Sequence, residues 1–329
     1  MHIELAQSQS SRLNKPIVFL GAILVLVFFS YIAALNNDFV NWDDGPHLVD
    51  NLSVRSLSLE NIKNIFKSTI SKTYIPLTTL SWAVEYSFIK YNPFYYHLNN
   101  LLLHLANVAL IFTLARQIGL SYLASGFASL LWGIHPMHVE SVVWVTQRKD
   151  VLFTVFYLLG LNSYWRYLKK GRMALYFLTL VFGFLSILAK AMALSFPVVL
   201  VLCDYLYRRK KSLGLILEKV PFFCYVIPIT WITLSANTNI MAVDQNFGQS
   251  ILTFLWTFIF YLKKFAWPQW LGPAYTLPDP ISLGNSAFLI SVIGFVLLLG
   301  AIIVFRRKKL FIFSLFFYSV TIFPILRYE

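Results

Sequence analysis

Ten apolar runs punctuate the chain: Ile17–Leu35, Leu98–Leu114, Tyr122–Ile134, Val151–Tyr164, Met173–Leu188, Ala191–Tyr207, Val220–Leu234, Ile251–Trp267, Ala287–Phe305 and Leu310–Leu326. The first is long enough to span a bilayer as a single helix. Polar positions are concentrated between the runs. The longest polar interval, Asn36–Asn92, has a pattern of its own. Leu59, Ile62, Ile65 and Phe66 recur at helical spacing after Ser58, a candidate cap. Leu77, Leu80, Val84 and Phe88 do the same after Pro76, a residue suited to a first helical turn. Both patterns predict short amphipathic helices lying on a membrane surface.

Charge turns these runs into a topology. Arg12 and Lys15 precede the first run, which places its start in the cytoplasm and Asn36–Asn92 on the opposite face. The clusters Arg166/Lys169/Lys170/Arg172, Arg208/Arg209/Lys210/Lys211 and Arg306/Arg307/Lys308/Lys309 belong inside by the same rule. Ten full crossings would put Arg306–Lys309 outside. Ile251–Trp267, with Lys263 and Lys264 in its last third, is therefore expected to be re-entrant or interfacial, because a lysine in lipid costs about 2.5–3.5 kcal/mol. About nine transmembrane helices remain, and the chain's whole +13 excess of formal charge falls on the cytoplasmic side. The basic balance is then an orientation signal, and nucleic-acid binding is not needed to explain it.

Composition agrees with a polytopic all-α membrane protein: 58% hydrophobic residues, 12% charged residues and a mean hydropathy of +0.67. The first helix is expected to be retained rather than cleaved, since its apolar run exceeds a signal-peptide core. Cys203 and Cys224 read as buried, inert thiols. There is no internal repeat, low-complexity tract or flexible linker, so residues 1–329 read as one transmembrane domain with 36–92 as its first extracytoplasmic loop.

Four stretches on the outer side could carry chemistry. The first is Trp42-Asp43-Asp44-Gly45, just beyond the first span. Asp-Asp-Gly-Pro is also strong turn chemistry, but a carboxylate pair at the membrane surface suits acid/base work on a lipid-borne substrate. The second runs from His135-Pro136-Met137-His138-Val139-Glu140 to Arg148-Lys149-Asp150. His135, His138 and Glu140 are metal-ligand types, yet their loose spacing and Pro136 favour a hydrogen-bonding cluster that shapes a cavity. Arg148 and Lys149 start a span on the outside, against the charge rule, so they need an anionic partner. A lipid headgroup and a substrate phosphate both qualify. The third is Lys190 in a tight outer link, and the fourth is Lys263-Lys264 beside Tyr261, Phe265 and Trp267. For both, snorkelling to lipid phosphate is the plain alternative to a site. Taken together, a base and several cations on one face are what sugar transfer from a lipid-linked phosphate requires.

Phe39-Val40-Asn41-Trp42-Asp43-Asp44, Tyr96-His97-Leu98-Asn99-Asn100-Leu101-Leu102-Leu103-His104, the stretch from His135 to Leu152 and Leu188-Ala189-Lys190-Ala191-Met192 resemble bacterial integral-membrane glycosyltransferases of the GT-C superfamily. These are relatives of protein O-mannosyltransferases, and the animal transmembrane-and-TPR O-mannosyltransferases share the plan. The resemblance runs in order from about residue 17 to the C-terminus. It implies a GT-C fold, a polyprenyl-phosphate-linked sugar donor and an inverting reaction on the extracytoplasmic face of a bacterial inner membrane. It implies an essential acid in the first outer loop, at Asp43 or Asp44, and lysines at Lys190 and Lys264. Two departures are visible. No TPR array is present, which puts a protein acceptor in question. The chain ends at Arg327-Tyr328-Glu329, where relatives carry an Arg-Tyr pair followed by further helices, so a minimal member or a shortened chain is expected.

The resulting expectation is a glycosyltransferase acting on a protein or envelope-glycan hydroxyl. Asp43 is expected to be the base and Asp44 its orienter, or a cation ligand should a divalent metal take part. Arg148, Lys149, Lys190, Lys264 and Arg327 would hold the donor phosphate. Trp42, His135, His138 and Glu140 would line the sugar and acceptor pocket. The alternative class is a flippase or transporter of a polyprenyl-linked glycan, which would place its ionisable groups along a path deep in the membrane rather than on one face.

Overall fold

The computed structural model describes residues 2–210, 212–236 and 246–326, with side chains from Ile17 onward. Arg327 and Lys211 lie outside the described residues. The elements are α1 His2–Tyr31, α2 Leu59–Lys67, α3 Pro76–Ile89, α4 Pro93–Ile118, α5 Tyr122–Gly133, α6 Val139–Val143, α7 Arg148–Lys170, α8 Met173–Ala189, α9 Phe196–Tyr207, α10 Leu213–Leu217, α11 Val220–Ala236, α12 Phe247–Ala266, α13 Ser286–Val304 and α14 Lys309–Ile322. Among the described residues there is no strand, only one isolated bridge between Ile70 and Thr73. Every apolar run of the sequence is therefore a helix, alone or continued by a short 3-10 turn.

Among the described residues, four segments are long and apolar enough to cross a membrane: Ile17–Asn36, Pro93–Ile118, Leu213–Ala236 and Ser286–Val304. These mark the chain as a membrane protein. The helices α8, Ala191–Tyr207 and Lys309–Ile325 are apolar but shorter, and α12 is not among the four.

Two units divide the chain: residues 1–193 with 224–236, and residues 194–223 with 237–329. In the first, α1 packs on α4 and α5, and α7 packs on α4 and α8. Ile23, Val27 and Tyr31 of α1 meet Leu101 and Val108 of α4, Val142 of α6 and Val151 of α7. Close approach of α1 to α5 depends on glycine: a Cβ at Gly126 would stand 2.2 Å from the Phe19 ring, and one at Gly133 2.8 Å from Val27. Buried polar side chains fasten helices to neighbouring backbones. Asn107 Nδ2 donates to Val151 O (2.9 Å), Asn162 Nδ2 to Leu110 O (3.2 Å) and Ser186 Oγ to Phe153 O (2.9 Å). Cys224 is exposed, contrary to the expectation of a buried thiol, because it falls on an outward face of α11; Cys203 of the second unit is buried as expected.

In the second unit, Phe258, Ile322 and Leu326 form a small core, and the Tyr318 hydroxyl donates to Phe258 O at 2.6 Å. A buried charge network closes the α9–α10 turn. Lys219 bridges Asp204 (2.9 Å) and Glu218 (3.0 Å), and Arg209 bridges the same two carboxylates. Asn246 and Gln249 cap the start of α12 reciprocally.

The loop after α1 has a core of its own, made by Leu48, Val54, Ile75, Trp82, Tyr96 and Val145. Ser58 caps α2 through Asn61 N (3.2 Å), and Pro76 opens α3, both as the sequence suggests. The orientation of α3 differs from a simple amphipathic reading. Thr78, Thr79, Trp82 and Glu85 are buried, while Val84 and Phe88 are exposed. Its polar residues have partners inside the protein, and its apolar edge faces outward.

Candidate functional site

The site is built in the first unit, on the loop after α1 and the turn before α7. Phe39 packs edge-on against Tyr96 of α4 with ring centres 5.5 Å apart, and Trp42 lies 5.7 Å from Trp144. Beyond Trp42 the chain turns into a short π-helical segment, Gly45–Val49. Asp44 is 1% exposed. Its Oδ2 accepts from Val40 N at 2.8 Å and its Oδ1 from Thr146 N at 3.0 Å. Both oxygens are spent on backbone donors, one of them 102 residues away, so Asp44 clamps the loop to the turn Val145–Gln147.

Asp43 is the contrasting neighbour. It is half-buried, and among the described residues its carboxylate accepts no hydrogen bond. Lys149, at the head of α7, is 9% exposed, and among the described residues its ammonium has neither hydrogen bond nor ion pair. The charges that act on it are Lys190, Asp150, Asp43 and Glu140. Lys190 pairs with Asp150, whose other oxygen accepts from Ser141 Oγ at 3.4 Å. Thr78 Oγ1 donates to Ala189 O at 2.9 Å, which seats the Lys190 link on α3. Asp43, Glu140, Lys149 and Lys190 are thus brought into one charged cluster, to which Asp150 and His47 are added by the fold.

Partial burial and the Asp150 charge push the Glu140 carboxyl above its ordinary range, against the pull of Lys190 and Lys149 and a hydrogen bond from Gln147 Nε2 at 3.1 Å. His47 is buried in the loop, and burial, reinforced by Lys149, lowers its proton affinity; Asp43 and Asp44 oppose the shift. His135 accepts from Met137 N through Nδ1 at 3.3 Å. The His138 ring lies tilted 4.3 Å from that of Trp132 and near His104 and His135. Burial first, then those two imidazoles, push its pKa down to about 3.

Arg148 is placed differently. Its Nε donates to Asn100 Oδ1 (2.8 Å), its Nη2 to Tyr96 O (2.9 Å), and its Nη1 pairs with Glu85. Glu85 Oε1 also accepts from Asn99 at 2.6 Å. The anionic partner that Arg148 requires at an outer helix start is therefore internal. This pair forms the polar end of a cleft of about 500 Å³ between α3, α4 and α7, walled by Val84, Phe88, Leu102 and Leu103. In the second unit, Lys264 donates to Trp270 O (3.0 Å) and Gln269 O and lies over the rings of Phe260 and Tyr275.

Both oxygens of Asp44 are occupied by N–H donors, and no group of three ligand-type residues with suitable geometry occurs among the described residues.

Sequence reading missed Glu85, Asp150 and His47. Asp150 stands inside a stretch already singled out, and Glu85 is the one acid on α3. The need of Arg148 for an anion was the available signal for Glu85.

No protein-family model and no solved structure matches the chain. Among curated proteins it is similar to protein O-mannosyl-transferase Tmtc1 of Drosophila melanogaster, 27% identical over 302 residues, covering 80% of this chain and 35% of that protein. It is 26% identical over 275 residues to protein O-mannosyl-transferase F38B6.6 of Caenorhabditis elegans, covering 79% and 38%. Human protein O-mannosyl-transferase TMTC3 is 38% identical over a shorter stretch of 100 residues, 30% of this chain and 11% of that protein. The chain spans a little over a third of the length of these fly and worm relatives, and along about four-fifths of its own length it is similar to proteins that carry the name O-mannosyl-transferase.

Proposed function

We propose that the chain is a membrane glycosyltransferase that moves a sugar from a polyprenyl-phosphate donor to a hydroxyl of a protein serine or threonine, on the extracytoplasmic face and with inversion. The names of its relatives favour mannose and a protein acceptor. The observation that supports the proposal is an unengaged carboxylate, Asp43, and a buried cation without an ion pair, Lys149, within one charged cluster.

Asp43 takes the acceptor hydroxyl proton as the acceptor oxygen bonds to the sugar C1. The C1–O bond to phosphate breaks, and the phosphate leaves with the electron pair. Lys149 and Lys190 stabilise the charge that develops there, and removing one such donor costs about 10²–10³ in rate in other enzymes. Arg148 is neutralised by Glu85 and serves the scaffold. Trp42, His135, His138 and Glu140 would shape the sugar pocket. No step runs through a metal. The apolar walls of the cleft at Val84, Phe88 and Leu102 suit a substrate with a hydrocarbon tail.

The proposed topology has nine crossings in a bacterial inner membrane, with α12 re-entrant and Arg306–Lys309 cytoplasmic. Purified protein supplied with polyprenyl-phosphomannose and a serine/threonine peptide tests the function. Mannosyl-peptide should form, and Lys149→Ala should reduce the rate about 10²–10³-fold. No product with any polyprenyl-phosphate sugar would refute the reading.

A further inference from the structure

His47 has no part in the scheme above, yet its placement is specific. The ring is 2% exposed, and its Nδ1 is buried without a hydrogen-bond partner. Buried polar atoms in folded proteins are generally satisfied, so an orphaned one calls for an explanation. The backbone N–H of His47 donates to Asp43 O at 3.1 Å, one full helical turn away. Asp43 thus stands at the head of the turn that carries His47, and its charge acts on the ring. Trp82 closes the other side, edge to face at 6.4 Å. The charged groups acting on the ring are Lys149 of α7 and Asp43 and Asp44 of its own turn. Thr146 Oγ1 and Gln147 Oε1 are also buried and unpartnered, on the turn that Asp44 clamps to this loop.

We propose that His47 is a positioning residue for Asp43: it orients the carboxylate toward the acceptor hydroxyl and then relieves it of the proton it has accepted. The inference rests on Asp43 being the base. The proton passes from the acceptor O–H to the Asp43 carboxylate as the new C–O bond forms. The carboxylic O–H then breaks and an imidazole N–H forms, which restores the carboxylate for the next turnover. The imidazolium gives its proton to water. Burial and Lys149 favour this last release, since both disfavour a second positive charge at the ring. They also keep the ring neutral, and able to accept, at neutral pH.

The test compares His47→Phe, His47→Gln and Asp43→Asn in transfer from polyprenyl-phosphomannose to a serine/threonine peptide, with rate followed against pH and thermal midpoints measured in detergent. His47→Phe should lower kcat about 10–100-fold, leave the donor KM within about twofold and shift the acid limb of the pH profile, leaving the limb of Asp43. His47→Gln keeps a hydrogen-bonding group without a titratable one, so it should recover part of kcat and still show the shifted limb. If His47→Phe does not fold, the pH limb of His47→Gln decides alone. Wild-type kcat and pH profile in His47→Phe beside an inactive Asp43→Asn would overturn the inference and leave the proposed function standing. Reduced kcat with a wild-type pH profile in both His47 variants would reduce His47 to packing and also overturn it. An active Asp43→Asn would remove the reading on which it rests.

Discussion

Replacing Asp44 by asparagine should destabilise the loop after α1, although the substitution is nearly isosteric. Asp44 presents two acceptor oxygens to two backbone donors, Val40 N at 2.8 Å and Thr146 N at 3.0 Å. Asparagine can accept only one of these. Its amide nitrogen would face the other N–H, donor against donor, in a setting 1% exposed. A hydrogen bond to a charged group contributes about 1.5–3 kcal/mol, and an unsatisfied buried donor costs about 1–3 kcal/mol. The expected loss is therefore on the order of 2–4 kcal/mol, concentrated in the segment Phe39–Asp50 and the turn Val145–Gln147. The thermal midpoint in detergent should fall by several degrees. Limited proteolysis should cut between Phe39 and Asp50 faster than in the wild type. Asp43→Asn is the internal control: its carboxylate has no hydrogen bond to lose, so stability should change by less than about 0.5 kcal/mol. Equal stability of Asp44→Asn and wild type, with unchanged proteolysis, would refute the assignment of Asp44 as the clamp.

Other predictions follow from the same contacts. Glu85→Leu or Arg148→Met alone should cost about 3–5 kcal/mol by leaving a buried charge unpaired, and the double variant Glu85→Leu/Arg148→Met should recover much of it in a thermal-midpoint cycle. His138 has a folded pKa of about 3 against 6.5, so the folded state binds fewer protons than the unfolded state between those values. Its effect on stability is neutral above about pH 6.5 and grows unfavourable as pH falls toward 3. His138→Phe should therefore flatten the acid side of a thermal-midpoint profile measured against pH. Arg307→Cys should resist an impermeant thiol reagent added from outside intact cells, and labelling there would contradict the cytoplasmic assignment of Arg306–Lys309.

The helices were legible because apolar runs, Ser58 and Pro76 are local signals, and each run became a helix. What was not legible depends on contacts far apart in sequence. Asp43 and Asp44 are the same residue type in adjacent positions. Only the Thr146 amide, 102 residues on, distinguishes the clamp from the unengaged carboxylate. Glu85 reads as the water-facing side of an amphipathic helix until Arg148, 63 residues later, reaches it. His47 carries no motif. Its relation to Asp43 comes from a helical turn in a stretch whose Asp-Asp-Gly-Pro pattern suggests a simple reverse turn. The positions of Lys149 and Lys190 were anticipated from cations on the wrong side of the charge rule. Their common cluster with Asp43 and Glu140 required the fold.

The central claim, that Asp43 is the base of a sugar transfer, is tested most directly by Asp43→Asn in single-turnover transfer from polyprenyl-phosphomannose to a serine/threonine peptide. Asparagine preserves size and turn preference but cannot accept the proton, so the rate should fall about 10²–10⁴-fold at an unchanged thermal midpoint. A rate within a few-fold of wild type would contradict the account.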